Sequence, residues 1–308
     1  MLGNTLLIVN PTARSGQASL AASKAIPFIE NYLQKESPHG TLTVYHTLSQ
    51  NDALHFTKAN AQRFHSIIAL GGDGLVHEVV NGLMCLEKSL RPQLGVIPCG
   101  NGDDFARSLR ISRKPHESKQ QLLSSKPIPL DIPCVNTIWY DETLSFGLDA
   151  AIALQTMDLR KKTKRTGTAL YMQCGFDQLE NHRTLYNVRI TLDNNEPFEA
   201  SLYLLAIQNG LYYGGGFKIC PEASLNDGLL DICYVTPELG FFAASRLFLK
   251  AKDGKHTADP HITFARASKI TLDFEDNLPA QVDGEVIEGS HFEIQVAPKA
   301  LKVLMPLQ

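Results

Sequence analysis

The sequence contains no run approaching the roughly 20 apolar residues that a membrane-spanning helix requires, and its apolar stretches are broken by polar residues within a few positions. It is poor in cysteine: Cys85, Cys99, Cys134, Cys174, Cys220 and Cys233 are scattered, and none forms a C-x-x-C pair. That spacing excludes a zinc knuckle or a disulfide framework and leaves reduced, buried thiols in a cytosolic protein. An excess of positive charge is also missing. The formal net charge of -3 argues against broad nucleic-acid binding, which usually needs a strongly basic face. There is neither a Walker A sequence nor a G-x-G-x-x-G fingerprint, which argues against a P-loop NTPase and an ordinary dinucleotide site. No internal repeat and no low-complexity segment occurs. The opening MLGNTLLIVNPTARSG has no basic leader and no cleavage-like site, so it reads as a first strand and not as a signal peptide.

What is present is an ordinary globular composition, 44% hydrophobic and 20% charged over 308 residues, enough for two domains. The first 130 or so residues alternate strand and helix signals. Strand-like runs lie at Thr5 to Val9, Thr41 to Tyr45, Ser66 to Leu70 and Leu94 to Pro98. Helical spacing marks Gln17 to Leu33 (with Pro27 as a kink or break), Asn51 to Arg63, Leu75 to Met84 and a piece opening at Phe105. Such alternation implies a parallel sheet with helices on its faces. After the Ser/Pro-rich SSKPIPL the pattern changes near Asp131. Thr184 to Leu192 and Phe198 to Ile207 read as a hairpin, and Leu229 to Val235, Lys269 to Phe274, Gln281 to Val286 and His291 to Val296 as further short strands. One helix, about Gly167 to Leu179, interrupts this antiparallel part. The expected division is an α/β domain over residues 1–131, a β-domain over 132–295 and a segment, 296–308, returning to the first domain.

In an open parallel sheet, ligands bind at the carboxyl ends of the strands. The loops there are Asn10-Pro-Thr-Ala-Arg-Ser-Gly16, the segment from Thr47, Gly71-Gly-Asp-Gly74, and Cys99-Gly-Asn-Gly-Asp-Asp104. Three contain glycine, which lets backbone N–H groups approach phosphate oxygens, and a helix beginning after Gly74 would turn its positive end toward an anion. A carboxylate at Asp73 would repel phosphate directly, so it makes better sense holding Mg²⁺ or its water shell. The plainer reading is an N-cap of the following helix.

The combination of motifs is more specific than any piece. G-G-D-G-L-V-H-E-V-V-N-G-L (71–83) closely resembles the signature of the diacylglycerol kinase catalytic domain family, which also contains sphingosine kinase, ceramide kinase and bacterial lipid kinases. The resemblance continues through Asn10-Pro11 with Gly16, Thr47, P-C-G-N-G-D-D-F-A-R (98–107) and Asp131. It includes F-G-L-D-A (146–150), N-G-x-x-x-G-G-G (209–216), Pro221 to Asp231 and V-D-G-E (282–285). It implies an N-terminal α/β nucleotide-binding domain, a C-terminal antiparallel β-sandwich and an active site in the cleft between them. It further implies an ATP- and Mg²⁺-dependent lipid kinase, most simply one turning diacylglycerol into phosphatidate. Glu285 is then the base that deprotonates the lipid hydroxyl, and Asp73 belongs to the acidic set around metal and phosphates, with Asp104 and Asp131. Nucleotide contacts fall to Asn10, Pro11, Thr12, Ala13, Arg14, Thr47, Gly71, Gly72, Asp73, Gly74, Leu75, His77, Glu78, Gly100, Asn101 and Asp104. A structural Mg²⁺ is implied at Ser224, Asp227 and Leu229, Asp227 giving its side chain and the other two their carbonyls. From the residues alone, Asn226-Asp227-Gly228 is an ordinary turn and Glu285 a solvated hairpin residue.

Two places depart from the family pattern. Leu75 stands where a hydroxyl residue is usual, and Asn101 and Asp103 stand where Thr or Ser, and Asn, are common. Asp103 would add negative charge beside the phosphates. The run Arg160-Lys-Lys-Thr-Lys-Arg165 could meet anionic headgroups or be a solvated loop. Phe241-Phe242 with Leu247, Phe248 and Leu249 reads as a lipid-facing patch or a buried helix face. The expected setting is the cytoplasm, with transient contact at the inner face of the membrane. The partners are a lipid substrate and no nucleic acid, and a homodimer through the β-domains is compatible. The competing readings are an NAD kinase, which shares G-G-D-G, and a catalytically weak regulator that binds nucleotide or lipid.

Overall fold

The computed structural model describes residues 2–163, 165–181, 184–236 and 239–306. The chain folds into two compact units, residues 1–131 with 299–308, and residues 132–298. In the first unit the order is β1 (Thr5–Val9), α1 (Gln17–Glu36), β2 (Leu42–His46), α2 (Asp52–Asn60), β3 (Ser66–Gly71), α3 (Asp73–Met84), β4 (Gln93–Pro98), α4 (Asp104–Ser108) and α5 (Pro115–Ser124). β5 (Lys126–Val135) leads out of it.

Residues of β1, β3 and β4 are buried throughout. Such continuously apolar strands belong in a parallel sheet covered on both faces. The observed order is β2-β1-β3-β4, all parallel. α1 packs Ala18, Ala22, Ala25, Ile29 and Leu33 inward at helical spacing. Pro27 lies inside this helix and does not end it, contrary to the break its presence allows. Its side chain faces solvent, while Ala25 and Ile29 on either side hold the buried stripe.

The second unit comprises β6 (Ile138–Trp139), β7 (Thr143–Gly147), α6 (Leu148–Thr163), α7 (Thr168–Asn181), β8 (Tyr186–Leu192), β9 (Phe198–Leu202), β10 (Leu204–Gln208), β11 (Leu230–Val235), α8 (Phe241–Lys252), β12 (Ile262–Ala267), β13 (Lys269–Val282) and β14 (Glu285–Met305). Up to residue 298 these strands pair antiparallel, β12-β11-β10-β7-β13-β14 in one direction and β13-β8-β9 in another, while the end of β14 belongs to the first unit, where Val303 pairs in parallel with Leu94. A register shift between Asp273 and Leu278 lets one long strand serve both. Its first half pairs with β8 and its last residues with β7, as a bulge bends a strand from one layer to another. Phe146, Phe274 and Phe292 meet between the layers with ring centroids 4.9 to 6.1 Å apart.

Several expectations for this half are corrected. The expected hairpin exists, with Ile190 opposite Phe198, but its second run splits at Tyr203 and β10 leaves to pair with β7 and β11. Three helices are present among the described residues instead of one. α6 follows directly on Gly147, whose φ of 68° turns the chain sharply off β7, and its apolar residues are too dispersed to mark it as a helix. The expected strand Gln281 to Val286 is a tight turn. Asp283 and Gly284 have φ of 46° and 88°, with Val282 paired to Glu285, the geometry of a two-residue hairpin favoured by Asp-Gly.

In the first turn of α6, Asp149 is fully buried and accepts a hydrogen bond from the Tyr171 hydroxyl at 3.3 Å. Burial pushes its carboxyl up to about 6, against hydrogen bonds from Ser145, Tyr213 and Tyr171 that pull it down. The fold therefore favours the protonated form: stability is fullest below the ordinary carboxylate pKa near 4 and falls as pH rises toward 6. Asp149→Asn keeps the shape without the charge. We expect it to raise stability at neutral pH by on the order of 2 kcal/mol and to flatten the decline between about pH 4 and 6, read by urea melts at several pH values.

Candidate active site

Four segments converge at the carboxyl edge of the parallel sheet, tied by backbone bonds. The N–H of Asn10 donates to Leu70 O at 3.1 Å, that of Thr47 to Val9 O at 2.9 Å, and that of Cys99 to Gly71 O at 2.6 Å. In the loop after β1, Asn10 Oδ1 accepts the Thr12 N–H at 3.1 Å and its hydroxyl at 2.9 Å. The Pro11 carbonyl accepts the Ser19 hydroxyl, and the Ala13 N–H returns to Asn10 O. Arg14, Ser15 and Gly16 follow with φ of 49°, 57° and 87°, leaving Arg14 exposed.

The loops after β3 and β4 are joined through glycine. A Cβ on Gly100 would lie 2.5 Å from Gly72 Cα and 2.6 Å from Asp103 Oδ1. Gly72 is the N-cap of α3, so the helix starts at Asp73, two residues before the expected Leu75. Asp73 does not cap its own helix; no side-chain cap bond is made there. Its Oδ2 accepts the Asp103 N–H at 2.7 Å and its Oδ1 the Asp104 N–H at 2.8 Å, so it caps α4 instead. Burial first, and then the charges of Asp104 and Asp103, push Asp73 up to about 7 even with those two N–H groups pulling it down. Gly74 differs from its neighbours: it is exposed and a Cβ there would meet nothing within 4 Å. Neither packing nor a turn of the chain demands glycine at this point, whereas close approach of a ligand to the backbone would.

Asp103, expected to add charge beside the phosphates, is turned inward. With φ of 53° its Oδ1 accepts the Gly100 N–H at 2.7 Å, and its Oδ2 pairs with Arg113 Nε at 3.3 Å. Burial nevertheless raises its pKa. Arg113 also donates to Asn101 O at 3.0 Å. This brace had no signature in the sequence, because nothing in the spacing from 103 to 113 indicates a partner. Asp104 pairs with Arg107 at 3.6 Å.

Other expected residues are placed as follows. Leu75 is buried, its Cδ2 filling the space beside Gly71. His77 is buried with Nε2 3.3 Å from Asn81 Nδ2. Glu78, expected among the nucleotide contacts, accepts the N–H of Asn51 at 2.9 Å and of Ala53 at 3.0 Å with its two oxygens, capping α2. Asp131 is fully buried and accepts the Lys299 N–H at 2.6 Å, anchoring the returning end of β14.

In the second unit, Asp283 accepts the N–H groups of Asp141, Glu142 and Thr143 at 2.8, 3.1 and 2.9 Å. Three such bonds fix the turn that presents Glu285. The buried Asn209 donates from Nδ2 to Asp141 O at 2.9 Å, extending the same polar row. Asp283 is the aspartate of V-D-G-E, and its role as an acceptor for 141–143 has no signature in the sequence. Ser224, Asp227 and Leu229 form a loop of their own, in which Asp227 Oδ1 accepts the Leu229 N–H at 3.1 Å and Gly228 has φ of 81°.

Residues 4–135 match the diacylglycerol kinase catalytic domain, and residues 142–305, more than half of the chain, match the YegS C-terminal NAD kinase beta sandwich-like domain. A diacylglycerol kinase of Bacillus subtilis is 33% identical over 258 residues, covering 82% of each chain. This chain belongs to the diacylglycerol kinase family. A crystal structure of a diacylglycerol kinase from Bacillus anthracis superposes with a TM-score of 0.81 at 25% identity, covering 99% of this chain and 97% of that one. An NAD kinase from Archaeoglobus fulgidus gives 0.51 at 11% identity, covering 98% of this chain and 93% of that one, a likeness of fold alone. As a member of the diacylglycerol kinase family the chain is a lipid kinase, a phosphotransferase with an alcohol acceptor that draws on a nucleotide.

Two substitutions separate scaffold from site. Gly100→Ala should abolish phosphotransfer by forcing apart the loops after β3 and β4, with the circular dichroism spectrum retained. Glu78→Ala should lower stability by about 1 kcal/mol through loss of the α2 cap and leave the KM for nucleotide within about twofold, as judged from urea melts and steady-state kinetics.

Proposed function

We propose that this chain transfers the γ-phosphate of ATP to the hydroxyl of diacylglycerol, giving phosphatidate, with Mg²⁺ as cofactor. The observation that carries the reading is the paired loop of the first unit. Gly72 and Gly100 bring two backbone segments together, Gly74 leaves open space at the start of α3, and Asp73 stands between them with its pKa raised by burial and then by neighbouring acids. A carboxylate held against like charges suits a divalent cation, and the donors are all hard oxygens, as Mg²⁺ prefers. Asp73 and Asp104 would hold that ion, which when bound neutralises charge developing on the phosphate oxygens.

The rest of the chemistry falls to the chain's own groups. Phosphoryl transfer depends mainly on positioning and charge neutralisation. Backbone N–H groups at Arg14, Ser15, Gly74, Asn101 and Gly102 are assigned to the phosphates, together with the positive end of α3. Thr47 is assigned to the nucleotide. Glu285 accepts the proton of the lipid hydroxyl as it attacks. Its position on a turn locked by Asp283 supports that role, since a base must be held in place. The Ser224, Asp227 and Leu229 loop offers one carboxylate and two carbonyls, a donor set that fits a second, structural Mg²⁺.

The test is incubation with γ-labelled ATP, Mg²⁺ and a panel of acceptors, namely diacylglycerol, a sphingoid base, phosphatidylglycerol, monoacylglycerol and NAD. Label should enter diacylglycerol. Glu285→Gln should lower kcat by about 10²- to 10⁴-fold with little change in KM. Label in another lipid would reassign the substrate, and label in NAD would overturn the reading.

A further inference from the structure

α8 has two faces, only one of which the fold uses. Ala244, Leu247, Phe248 and Ala251 are buried. The Phe248 ring packs on Phe217 at 4.9 Å and edge-on to Phe176 of α7 at 5.8 Å. The opposite stripe has Phe242, 87% exposed, and Leu249, 50% exposed. They are seven residues apart, two helical turns on one face, with the exposed Arg246 between them. Lys250 and Lys252 flank the stripe at its carboxyl end. The next acids along the chain are Asp253, paired with Lys255 at 3.3 Å, and Asp259, paired with His261 at 2.8 Å.

More positive charge collects at the same end. The Lys218 N–H donates to Ala251 O at 3.0 Å, and the Thr168 hydroxyl donates to Gly215 O at 3.1 Å. The short segment 215–218 thus ties the last turn of α8 to the first turn of α7. Just before that turn come the exposed Arg165 and, closing α6, Arg160, Lys161 and Lys162, of which only Lys162 is paired, with Asp158. Lys164 lies outside the described residues.

We propose that the outward face of α8 docks on an anionic phospholipid bilayer, with Phe242 and Leu249 entering the interface and the basic residues meeting the headgroups. The inference rests on the reading that the substrate is a membrane lipid. Aromatic and leucine side chains flanked by Lys and Arg are the composition of helices that lie in a membrane interface, and each cation near an anionic surface adds attraction. A second copy of the chain is the poorer occupant. A two-fold interface would bring Arg246 and the lysines of one copy against those of the other.

Binding is measured by co-sedimentation with phosphatidylcholine vesicles with and without phosphatidylglycerol. The expected result is binding to the anionic vesicles that weakens with salt, and about tenfold weaker binding for Phe242→Ser/Leu249→Ser. The double variant should lose a similar factor in phosphorylation of vesicle-borne diacylglycerol and keep wild-type activity on a water-soluble short-chain diacylglycerol. Phe242→Trp emission should shift to the blue on anionic vesicles. Unchanged vesicle binding by the double variant, or no shift from Phe242→Trp, would overturn the docking surface while leaving the kinase reading intact. A wild-type dimer in sedimentation velocity that the double variant breaks without losing vesicle binding would give the face to a second copy. Absence of activity on the soluble lipid in the wild type would instead fail the kinase reading.

Discussion

Two backbone N–H groups accepted by the Asp73 carboxylate hold the loops at the carboxyl edge of the parallel sheet together. α4 is only five residues long and has no side-chain cap of its own. Its first amides are satisfied from α3, by a residue that enters its own helix directly after Gly72. This is also why glycine is needed at both 72 and 100: the bond lengths from Asp73 can be met only if the loops touch at their Cα atoms. Charge follows geometry. Burial and then the two neighbouring acids, Asp104 and Asp103, raise the cost of ionising Asp73, and Asp103 has its own charge committed to Gly100 and Arg113.

The second unit uses the same device in a different fold. Asp283 gathers three consecutive amides of residues 141–143, as Asp73 gathers two. In each case a carboxylate is a structural acceptor next to the group that the chemistry is assigned to. Such placement limits the freedom of Glu285 without using its own side chain, and it explains why an otherwise ordinary Asp-Gly turn has a fixed register against β7. The long β13, bent by its register shift, carries that turn at its end.

The parallel sheet was readable because β1, β3 and β4 are buried on both faces and so are plain apolar runs. The antiparallel unit was readable only in pieces. A strand that changes partners midway, as β13 does, contains a polar interruption at residues 275–277 that looks like a loop. α6 and α8 share their surface between core and exposed residues in ways that a linear pattern blurs. At the site, the glycines and Asp73 stood out because their types are unusual at that spacing. Arg113 did not, since its partner is ten residues away and on no common face. The bonds of Glu78 to α2 had no signature either, since it sits within a strong motif of α3 and its partners lie some 25 residues before it.

The path of β14 has a consequence for how the chain is made. Val303 pairs in parallel with Leu94, and Lys299 is bonded to Asp131, so the last strand of the first unit is drawn from the far end of the sequence. During synthesis from the amino terminus, β4 therefore has an open edge for as long as residues 132–298 are being added. An apolar strand with unpaired amides is a template for wrong partners. The first unit must remain protected or loosely formed over that interval, and it closes only when its own tail arrives.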